Sequence, residues 1–346
     1  MAKILITGWL GYIGAHTAVV LTQEWFDVIL LDNLSNSSLT TLNEIEEITG
    51  KKLPFYETDI RDIKSLDKVF SENRDIDWVI HLAALKSVGE SCEKPYEYYD
   101  ININGTIRLL YTMNRYNISK IVFSSTAAVY DNKTNIPPFI ENDKKVPINP
   151  YATTKLIVEQ ILSDVAEHKY MNSVSLRYFN VIGAHTSGLI GDAQKKKNNL
   201  LPIIFSAMTE NTKMNVYGKD YDTEDGTAVR DYIHVMDIAK AHLHAFSYLE
   251  TFEKTQEESQ HHELVRGMNE VFNIGTSEGT SVLEMIKLVE NVTGKKVAYN
   301  ITERREGDAG VVIANPKKAK NILGWVPDFS IHQAIEDHWN FVTKHM

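Results

Sequence analysis

The sequence predicts an α/β fold, a Rossmann-type doubly wound parallel sheet followed by a smaller mixed α/β C-terminal lobe. Short runs of Val, Ile and Leu alternate with longer helical patterns in the first half of the chain, which is typical of parallel sheets covered by helices. A glycine-rich turn directly follows the first run, and after about residue 180 the sequence becomes more polar and irregular. We therefore expect a first domain over residues 1–180 and a second lobe over residues 181–346, with segments near 230–245 and 270–280 returning to the first domain.

The alternation predicts the elements in chain order. Apolar runs without polar alternation predict buried strands at residues 3–7, 27–32, 77–84, 120–125 and 173–180. Helical patterns lie at residues 12–24, 66–73, 95–116, 150–168 and 281–294, the last of which ends at a glycine. The charged stretch 251–267 has no periodicity and fits either a surface insertion or a helix extension.

Composition and charge exclude several classes of protein. The 346 residues are 43% hydrophobic, as in globular chains, and contain no apolar run long enough to predict a membrane span. A net charge of -10 disfavours nucleic acid and anionic lipid as partners. Cys92 is the only cysteine, so we expect no internal disulfide, a buried or half-buried thiol and a cytoplasmic protein without a secretory segment. The 12 histidines lack ligand spacing, so no metal is expected.

The turn after the first strand predicts a dinucleotide site. Gly8, Gly11 and Gly14 stand between a strand and a helix, where glycines permit a tight turn, close approach of a pyrophosphate and close helix packing. The next strand ends in Asp32, whose carboxylate can accept both ribose hydroxyls. Without a nearby arginine, this pattern favours NAD over NADP. The alternative is a glycine-rich turn that binds nothing, and Asp32 argues against it.

The stretch "NPYATTKLIVEQ" predicts a helix with a catalytic face. Asn149 is a favourable N-cap and Pro150 suits the first helical position, so Tyr151 and Lys155 project on one side, one turn apart. A phenol has a pKa of roughly 10, and lowering it by about three units needs ~4 kcal/mol, which two nearby cations can supply. The alternative is an ordinary helix surface carrying a tyrosine and a lysine.

A cluster of hydroxyl groups ends the strand before this helix. Ser124, Ser125 and Thr126 lie at a strand end, where ligands collect in open parallel sheets. A hydroxyl group there can bridge a substrate and a phenolate.

Together these motifs resemble the extended short-chain dehydrogenase/reductase family. The stretches 81–91, 97–106, 176–185, 198–202, 225–239, 272–282 and 304–310 narrow the resemblance to its UDP-hexose 4-epimerases, nearly from end to end. It implies interconversion of UDP-glucose and UDP-galactose through a 4-keto sugar, with NAD held throughout. Tyr151 would take the proton of the 4-hydroxyl, Lys155 would tune Tyr151 and bind the nicotinamide ribose, and Thr126 would bind the reacting oxygen.

The resemblance also implies binding residues, position by position. Those expected at the cofactor are Gly8, Gly11, Tyr12, Ile13, Gly14, Asp32, Asn33, Asp59, Ile60, Leu82, Ala83, Ala84, Lys86, Tyr151, Lys155 and Tyr178. Those expected at the nucleotide sugar are Lys86, Thr126, Tyr151, Asn180, Asn199, Leu200, Tyr217, Arg230, Arg305 and Asp308. Arginines suit a diphosphate, an aromatic ring can cover uracil, and amides can recognise polar edges.

Several of these residues also have structural interpretations. Lys86 fits a solvated lysine, Asp59 a turn residue, and Asn199 a helix cap. Arg230 and Asp231 fit a structural ion pair.

Two positions depart from the family pattern. Trp9 replaces a small residue in the glycine-rich turn, so its ring must point away from the pyrophosphate or the loop must shift. Val312 is intermediate in size at the position that bounds the sugar 2-substituent, which leaves action on UDP-GlcNAc and UDP-GalNAc open.

Other functions were weighed against the epimerase. One is another NAD-dependent enzyme acting on sugar nucleotides, a uronate 4-epimerase or a dehydratase; Ala127 and Ala128 lack the acidic pair that a dehydratase places after the strand-end threonine. Another is a non-catalytic NAD-binding regulatory module, which retention of the Tyr/Lys pair disfavours. The family also implies a homodimer through helices 95–116 and 150–168.

Overall fold

The computed structural model describes residues 2–35, 38–169, 171–193, 197–258, 266–305 and 307–346. The strands are β1 (Lys3–Thr7), β2 (Asp27–Asp32), β3 (Phe55–Glu57), β4 (Ile76–His81), β5 (Lys120–Thr126), β6 (Asn172–Tyr178), β7 (Asn180–Ile182), β8 (Met214–Tyr217), β9 (Val229–His234), β10 (Asn269–Ile274), β11 (Gly279–Ser281), β12 (Tyr299–Thr302) and β13 (Val311–Val312). The α-helices are α1 (Tyr12–Gln23), α2 (Thr40–Thr49), α3 (Ile63–Glu72), α4 (Val88–Glu93), α5 (Pro95–Tyr99), α6 (Gly105–Arg115), α7 (Pro150–Lys169), α8 (Leu200–Thr209), α9 (Val235–Glu258), α10 (Val282–Thr293) and α11 (Ile331–Lys344). None of these helices combines the length and the apolar character that a membrane span requires.

The main sheet has seven parallel strands in the order β3-β2-β1-β4-β5-β6-β10. The order reverses direction at β1, which is the doubly wound arrangement, so the predicted fold class is confirmed. β10 comes from the later part of the chain and lies against β6. A second sheet joins β11, β9 and β13, with β7 also paired to β9, and β8 pairs with β12.

Helices bury both faces of the main sheet. On one face, Ile4 and Ile6 of β1 pack in a core with α1 and with Ile238 and Phe246 of α9. On the other, Leu5 belongs to a core shared with α3, α6 and α7. Successive side chains of β1 therefore point to opposite apolar layers, which explains why the strand sequence shows no polar alternation.

Local signals correctly predicted two helix boundaries. α7 begins at Pro150, and the Asn149 Oδ1 atom accepts a hydrogen bond from the Ala152 amide at 2.9 Å. α10 begins after a Ser281–Glu284 capping box and ends at Gly294, whose φ of 68° is left-handed.

Other sequence predictions need correction. The run 173–180 is not one strand, because β6 ends at Tyr178 and Asn180 begins β7 in the second sheet. A π-helical turn, Asp100–Asn104, divides the helix predicted over 95–116. Cys92 was expected to be buried or half-buried and is exposed.

The stretch 251–267 is in part a helix extension. α9 continues through it to Glu258, and residues 259–265 lie outside the described part of the chain.

Candidate active site

The glycine-rich turn lies tightly against the end of β4. Gly8 has a left-handed φ of 72°, and a Cβ atom there would lie 2.4 Å from the amide nitrogen of Ala83. A Cβ atom on Gly14 would lie 2.5 Å from the Trp9 Cα atom. No side chain caps α1 at Gly11, and the first-turn amides of a helix lack carbonyl partners within it. The Gly11 amide donates to the Gly8 carbonyl oxygen at 3.2 Å, so the donors for a pyrophosphate are the amides of Tyr12, Ile13 and Gly14, at the positive end of the helix.

The bulky Trp9 side chain does not fill the cradle, that is, the turn formed by Gly8, Gly11 and Gly14. Its side chain is fully buried in the core above the sheet, and its ring meets Phe55 edge-on at 5.6 Å between centroids. Of the two outcomes expected for Trp9, the ring points away from the turn.

Asp32 connects the end of β2 to the glycine-rich turn. One of its carboxylate oxygens accepts from the Leu10 amide at 3.2 Å, and the other accepts from the Leu34 amide at 2.9 Å. The side chain is nearly buried. Asp32 thus lies beside the glycine-rich turn, at the end of the second strand, where a carboxylate is expected to bind the ribose of a dinucleotide.

Asp59 is held by its neighbours. Its carboxylate accepts from the Arg61 guanidinium at 2.8 and 3.0 Å, from the Arg61 amide at 2.9 Å and from the Asn33 amide group at 3.0 Å. Hydrogen bonding from Arg61 lowers the pKa of Asp59 to about 2. The turn interpretation therefore describes the Asp59 side chain. Ile60 is buried and packs against Gly105.

The loop after β4 connects the cofactor side to the substrate side. Leu82, Ala83 and Ala84 are half-buried in it, and Lys86 is exposed. The neighbouring Ser87 hydroxyl is 3.4 Å from the amide nitrogen of Asn198. Lys86 thus lies in a loop that reaches both predicted binding regions.

Tyr151, Lys155 and Thr126 come together at the end of β5. Lys155 is buried and donates from Nζ to the Ser124 carbonyl oxygen at 2.8 Å, and its ammonium lies 4.8 Å from the Phe123 ring centroid. The Thr126 hydroxyl group lies near the Tyr151 phenol, where hydrogen bonding acts to lower the phenol pKa. Tyr151 as a residue is half-buried.

Burial acts on the pKa values of both members of this pair. It raises the pKa of Tyr151, while the Thr126 hydrogen bond acts in the opposite direction. Burial lowers the pKa of Lys155 to about 7, partly offset by the negative charge of Glu159. The sequence predicted a lowered phenol pKa. That prediction counted the nicotinamide as a second cation besides Lys155, and it stays a prediction. Among the protein's own groups, desolvation penalises phenolate, and the Lys155 ammonium donates to a carbonyl group.

A buried polar network supports the catalytic helix. The Thr7 hydroxyl contacts His81 Nδ1 at 2.7 Å, and His81 Nε2 contacts the Thr106 hydroxyl at 2.8 Å. Thr106 donates to the Asn102 carbonyl at 2.6 Å, and the Asn102 amide donates to the Thr154 hydroxyl of α7 at 3.0 Å. Burial lowers the pKa of His81 to about 3, so His81 is neutral in this network. The network connects β1, β4 and α7.

A buried ion pair lies one helical turn beyond Lys155. The Arg177 guanidinium donates to the two Glu159 carboxylate oxygens at 2.6 and 2.9 Å. The Ser125 hydroxyl also donates to Glu159, and Tyr130 accepts from Arg177 at 2.8 Å. The pair is hydrogen-bonded on several sides, as a buried pair must be to avoid an unpaired charge.

Tyr178 ends β6 and is nearly buried beside this site. Its hydroxyl lies 2.7 Å from Nε2 of His242 on α9. Burial raises the pKa of Tyr178, so the phenol is neutral.

Besides Lys86, Thr126 and Tyr151, the residues expected at the nucleotide sugar follow β6 in the chain. Asn180 is half-buried at the start of β7. Asn199 is exposed at the N-cap of α8 and its side chain makes no capping hydrogen bond in the described structure, while Leu200 is the first helical residue. Asn199 therefore has the position of a helix cap without the usual side-chain hydrogen bond.

Cationic and aromatic groups alternate further along this lobe. The Arg305 guanidinium lies 3.8 Å from the Tyr217 ring centroid, and hydrogen bonding with Arg305 lowers the pKa of Tyr217. Arg230 donates to the Val229 carbonyl oxygen at 2.9 Å and is 3.9 Å from Asp308. This cluster concentrates positive charge on a protein whose net charge is negative.

The structure does not support the interpretation of Arg230 and Asp231 as an ion pair. Asp231 is fully buried and accepts hydrogen bonds from the amides of Thr276, Ser277 and Ala314. Successive strand residues point to opposite faces, so the Arg230 side chain is directed away from that carboxylate.

Sequence reasoning missed His81, Asn102, Glu159, Arg177 and His242. Their partners are distant along the chain, and no short motif marks them. The one local signal is that Glu159 follows Lys155 by one turn on the same helical face.

The chain matches the family model described as GDP-mannose 4,6 dehydratase over residues 5–338. It is 44% identical over 342 residues to the UDP-glucose 4-epimerase of Haemophilus influenzae, a match that covers 98% of this chain and 96% of that protein. The UDP-glucose 4-epimerase of Stenotrophomonas maltophila, solved with bound NAD and formylated UDP-arabinopyranose, has a TM-score of 0.92 at 38% identity and covers 100% of this chain and 99% of its own. The Bifidobacterium longum enzyme, solved with NAD+ and UDP, has a TM-score of 0.89 at 41% identity, with 99% and 98% covered.

Proposed function

The chain belongs to the UDP-glucose 4-epimerase family, and from that premise we propose how its own residues perform the reaction. It is an NAD-dependent enzyme that interconverts UDP-glucose and UDP-galactose by transient oxidation at sugar C4. The observation that carries the residue assignments is the cluster of Tyr151, Lys155 and Thr126 beside the glycine cradle.

The cradle fits a dinucleotide. A Cβ atom on Gly8 or Gly14 would clash with neighbouring backbone, so the tight turn requires glycine at both positions. The N-terminus of α1 at this turn has no side-chain cap. We assign the pyrophosphate to the turn at Gly11 and to the amides of Tyr12, Ile13 and Gly14, and the adenosine ribose to Asp32 and Asn33. Asp59, Ile60, Leu82, Ala83, Ala84, Lys86 and Tyr178 would line the remainder. When bound, NAD would take up the C4 hydrogen as hydride, return it to the opposite sugar face, and bring a positive charge near the phenol.

Tyr151 is the general base and acid in this proposal. As the phenolate, its half-buried side chain takes the proton of the sugar 4-hydroxyl, and the phenol so formed later returns a proton to the same oxygen after inversion at C4. Thr126 orients the phenol and the reacting oxygen. Lys155, fixed on the Ser124 carbonyl, places a cation near the phenolate and within reach of a ribose.

The second lobe holds the UDP group. Arg230, Arg305 and Asp308 surround the expected diphosphate and sugar region, where guanidinium groups can bind phosphate oxygens in pairs. Tyr217 offers a ring face for uracil, and Asn180, Asn199 and Leu200 contribute polar and backbone contacts. Lys86 approaches from the first domain. These groups explain how an acidic protein binds an anionic substrate.

A dehydratase reaction is not supported by the residues after Thr126. Elimination of water needs an acid at that place, and Ala127 and Ala128 instead form the start of a short 3-10 helix, Ala127–Val129. The family model's description therefore identifies the fold and the cofactor class better than the reaction.

Action on N-acetylated sugars is a second proposal, which Val312 supports. Val312 is half-buried in β13 and pairs with Arg230 of β9, so it borders the substrate region. Valine leaves more room for a 2-acetamido group than a large aromatic residue would. Turnover of UDP-GlcNAc compared with UDP-glucose tests this proposal.

We also propose a homodimer, supported by apolar residues exposed on α5 and α6. Tyr96 is 86% exposed, and Tyr99, Ile107 and Tyr111 follow at helical spacing with 39%, 46% and 55% exposure. In each subunit, the α5–α6 segment counts as one helix and α7 as the other. Two subunits would then form a four-helix bundle about a twofold axis. The cytoplasmic location also stays a prediction, with which the exposed thiol of Cys92 is compatible.

The direct test is to incubate purified protein with UDP-galactose, without added NAD, and to assay UDP-glucose. We expect turnover from cofactor that copurifies with the protein. Tyr151→Phe should lower kcat by about 1000-fold or more while the bound NAD content is unchanged. Tyr116→Phe, which removes a hydroxyl bonded to the Asp67 carbonyl away from the site, serves as control. Full activity of Tyr151→Phe would refute the assignment of the base.

A further inference from the structure

A directed hydrogen-bond chain leads from the candidate site into α9. The Tyr178 hydroxyl is 2.7 Å from His242 Nε2, and His242 Nδ1 is 2.9 Å from the Ile238 carbonyl oxygen. A carbonyl oxygen only accepts, so the ring proton of His242 is on Nδ1 and Nε2 accepts from the Tyr178 hydroxyl. The position of one backbone carbonyl therefore sets the direction of the Tyr178 proton.

The surroundings keep this chain neutral. His242 is fully buried, and burial lowers its pKa to about 4, so it does not compete as a donor. The Ser124 hydroxyl group of β5 also lies near the Tyr178 phenol, where it acts to lower the pKa that burial raises. The same residue's carbonyl oxygen accepts from Lys155. The Tyr178 oxygen is thus held between β5 and α9.

The phenols of Tyr178 and Tyr151 lie near each other but have different hydrogen-bond partners. Tyr178 and Tyr151 are close enough for the charge of one to influence the other. Tyr151 is half-buried and lies near the Thr126 hydroxyl group, whereas the nearly buried Tyr178 donates a hydrogen bond to His242 on α9. Without its acceptor, the Tyr178 hydroxyl would rotate freely and could donate to Tyr151 or to the sugar oxygen.

We propose that His242 is a positioning residue for the epimerisation, because it accepts a hydrogen bond from the Tyr178 hydroxyl and so fixes the Tyr178 ring at the nicotinamide face and excludes this phenol from proton exchange with the sugar. The inference rests on the proposed place of Tyr178 beside the nicotinamide. His242 touches no reacting atom and acts only through Tyr178.

A purely structural histidine would behave differently. Many buried histidines only satisfy the core in which they lie, and their loss affects stability without dependence on one partner. His242 contacts the site through a single hydroxyl, so a double-mutant cycle with Tyr178→Phe separates the two explanations.

The experiment compares His242→Met, His242→Gln, Tyr178→Phe and the double variant His242→Met with Tyr178→Phe. Met removes the acceptor at similar size, and Gln keeps an acceptor oxygen near the place of Nε2. His338→Met is the matched control, because His338 is also buried but packs on Phe205 in the second lobe. Steady-state kinetics are measured together with the content of bound cofactor and its reduced fraction after exposure to UDP-galactose, followed by absorbance.

His242→Met should lower kcat by about 10- to 100-fold with KM within about threefold, since small misplacements at a reacting centre reduce rates on this scale. Its reduced cofactor fraction should rise at least twofold, because hydride return from a misaligned ring slows. His242→Gln should recover most of the activity, and the double variant should match Tyr178→Phe. His338→Met should keep its kcat and reduced fraction.

Independent effects of the two substitutions, or a His242→Met enzyme with unchanged kcat and reduced fraction, would overturn the proposal. If His242→Met does not fold, the double variant against Tyr178→Phe carries the test, because it leaves no hydroxyl without a partner. Tyr151→Phe separates the proposals: if it is inactive while His242→Met is unaffected, the function stands and the positioning assignment fails.

Discussion

Tyr151 and Lys155 are shifted toward a neutral pair by the same cause. Burial raises the phenol pKa and lowers the ammonium pKa to about 7. In a neutral pair the phenol retains its proton and is a weak base. The basicity of Tyr151 therefore depends on hydrogen bonds and charges that reach it from outside the pair, of which the Thr126 hydroxyl is the one that the protein supplies directly.

Thr126→Val should shift the pH dependence of the reaction. Loss of the Thr126 hydrogen bond raises the pKa of Tyr151 further, and a base must be deprotonated to act. The acid limb of the kcat profile should therefore move to higher pH, with a roughly 10-fold lower kcat at pH 7 for each pH unit of displacement. Profiles recorded from pH 5 to 9 measure this effect. Thr126→Ser keeps the hydroxyl and should keep the limb, and a Thr126→Val profile superimposable on the parent's would contradict the argument.

Single elements differ in how well the sequence predicts them. The boundaries of α7 and α10 could be predicted because their causes, Asn149 with Pro150 and Ser281 with Gly294, lie within a few residues. The end of β6 could not, because one apolar run there serves two sheets, and the division depends on which distant strands pair with it.

The candidate site divides in the same way. The glycine turn, Tyr151 and Lys155 form short motifs whose geometry follows from local structure. The partner of Tyr178 is on a helix 64 residues later, and no local pattern indicates which histidine faces it.

Gly14→Ala should damage the turn between β1 and α1. The added methyl group would lie 2.5 Å from the Trp9 Cα atom and 2.7 Å from the Gly8 carbonyl oxygen, and both are backbone atoms that cannot rotate away. We expect a loss of about 1–3 kcal/mol in the free energy of unfolding, together with most of the bound NAD. Chemical denaturation and cofactor release measure the two effects.

Gly89→Ala is the matched control for this element. A Cβ atom on Gly89 meets no atom within 4 Å, so neither stability nor cofactor content should fall. Equal behaviour of the two variants would show that close packing at Gly14 is unimportant.

At the scale of the whole molecule, the two lobes share structure. β10 and α9 follow the first substrate segments in the chain, yet they pack on the main sheet and on its core. Part of the chain after β6 therefore belongs to the core of the main sheet, whereas α8, α10 and α11 pack in a separate core.

The apolar stripe on α5 and α6 predicts association of two chains. Ile107→Asp places a charge in the middle of this stripe, so burying it against a second copy becomes unfavourable, and the dimer should weaken by about 100-fold or more. Sedimentation at several concentrations measures the effect. Ile136→Asp, on a loop residue that is 86% exposed, should leave association unchanged. A dimer unaffected by Ile107→Asp would move the interface elsewhere.

The late position of β10 also matters while the chain is being made. A ribosome that has translated only through Tyr178 has produced six strands of the main sheet, and the backbone of β6 has no neighbour on its outer edge until Asn269–Ile274 emerges. For the intervening ninety or so codons, that edge is open to pairing with other nascent chains. Nascent chains thus pass through an interval in which protection by chaperones matters most. This interval ends when β10, which is encoded in the last quarter of the coding sequence, has been synthesised.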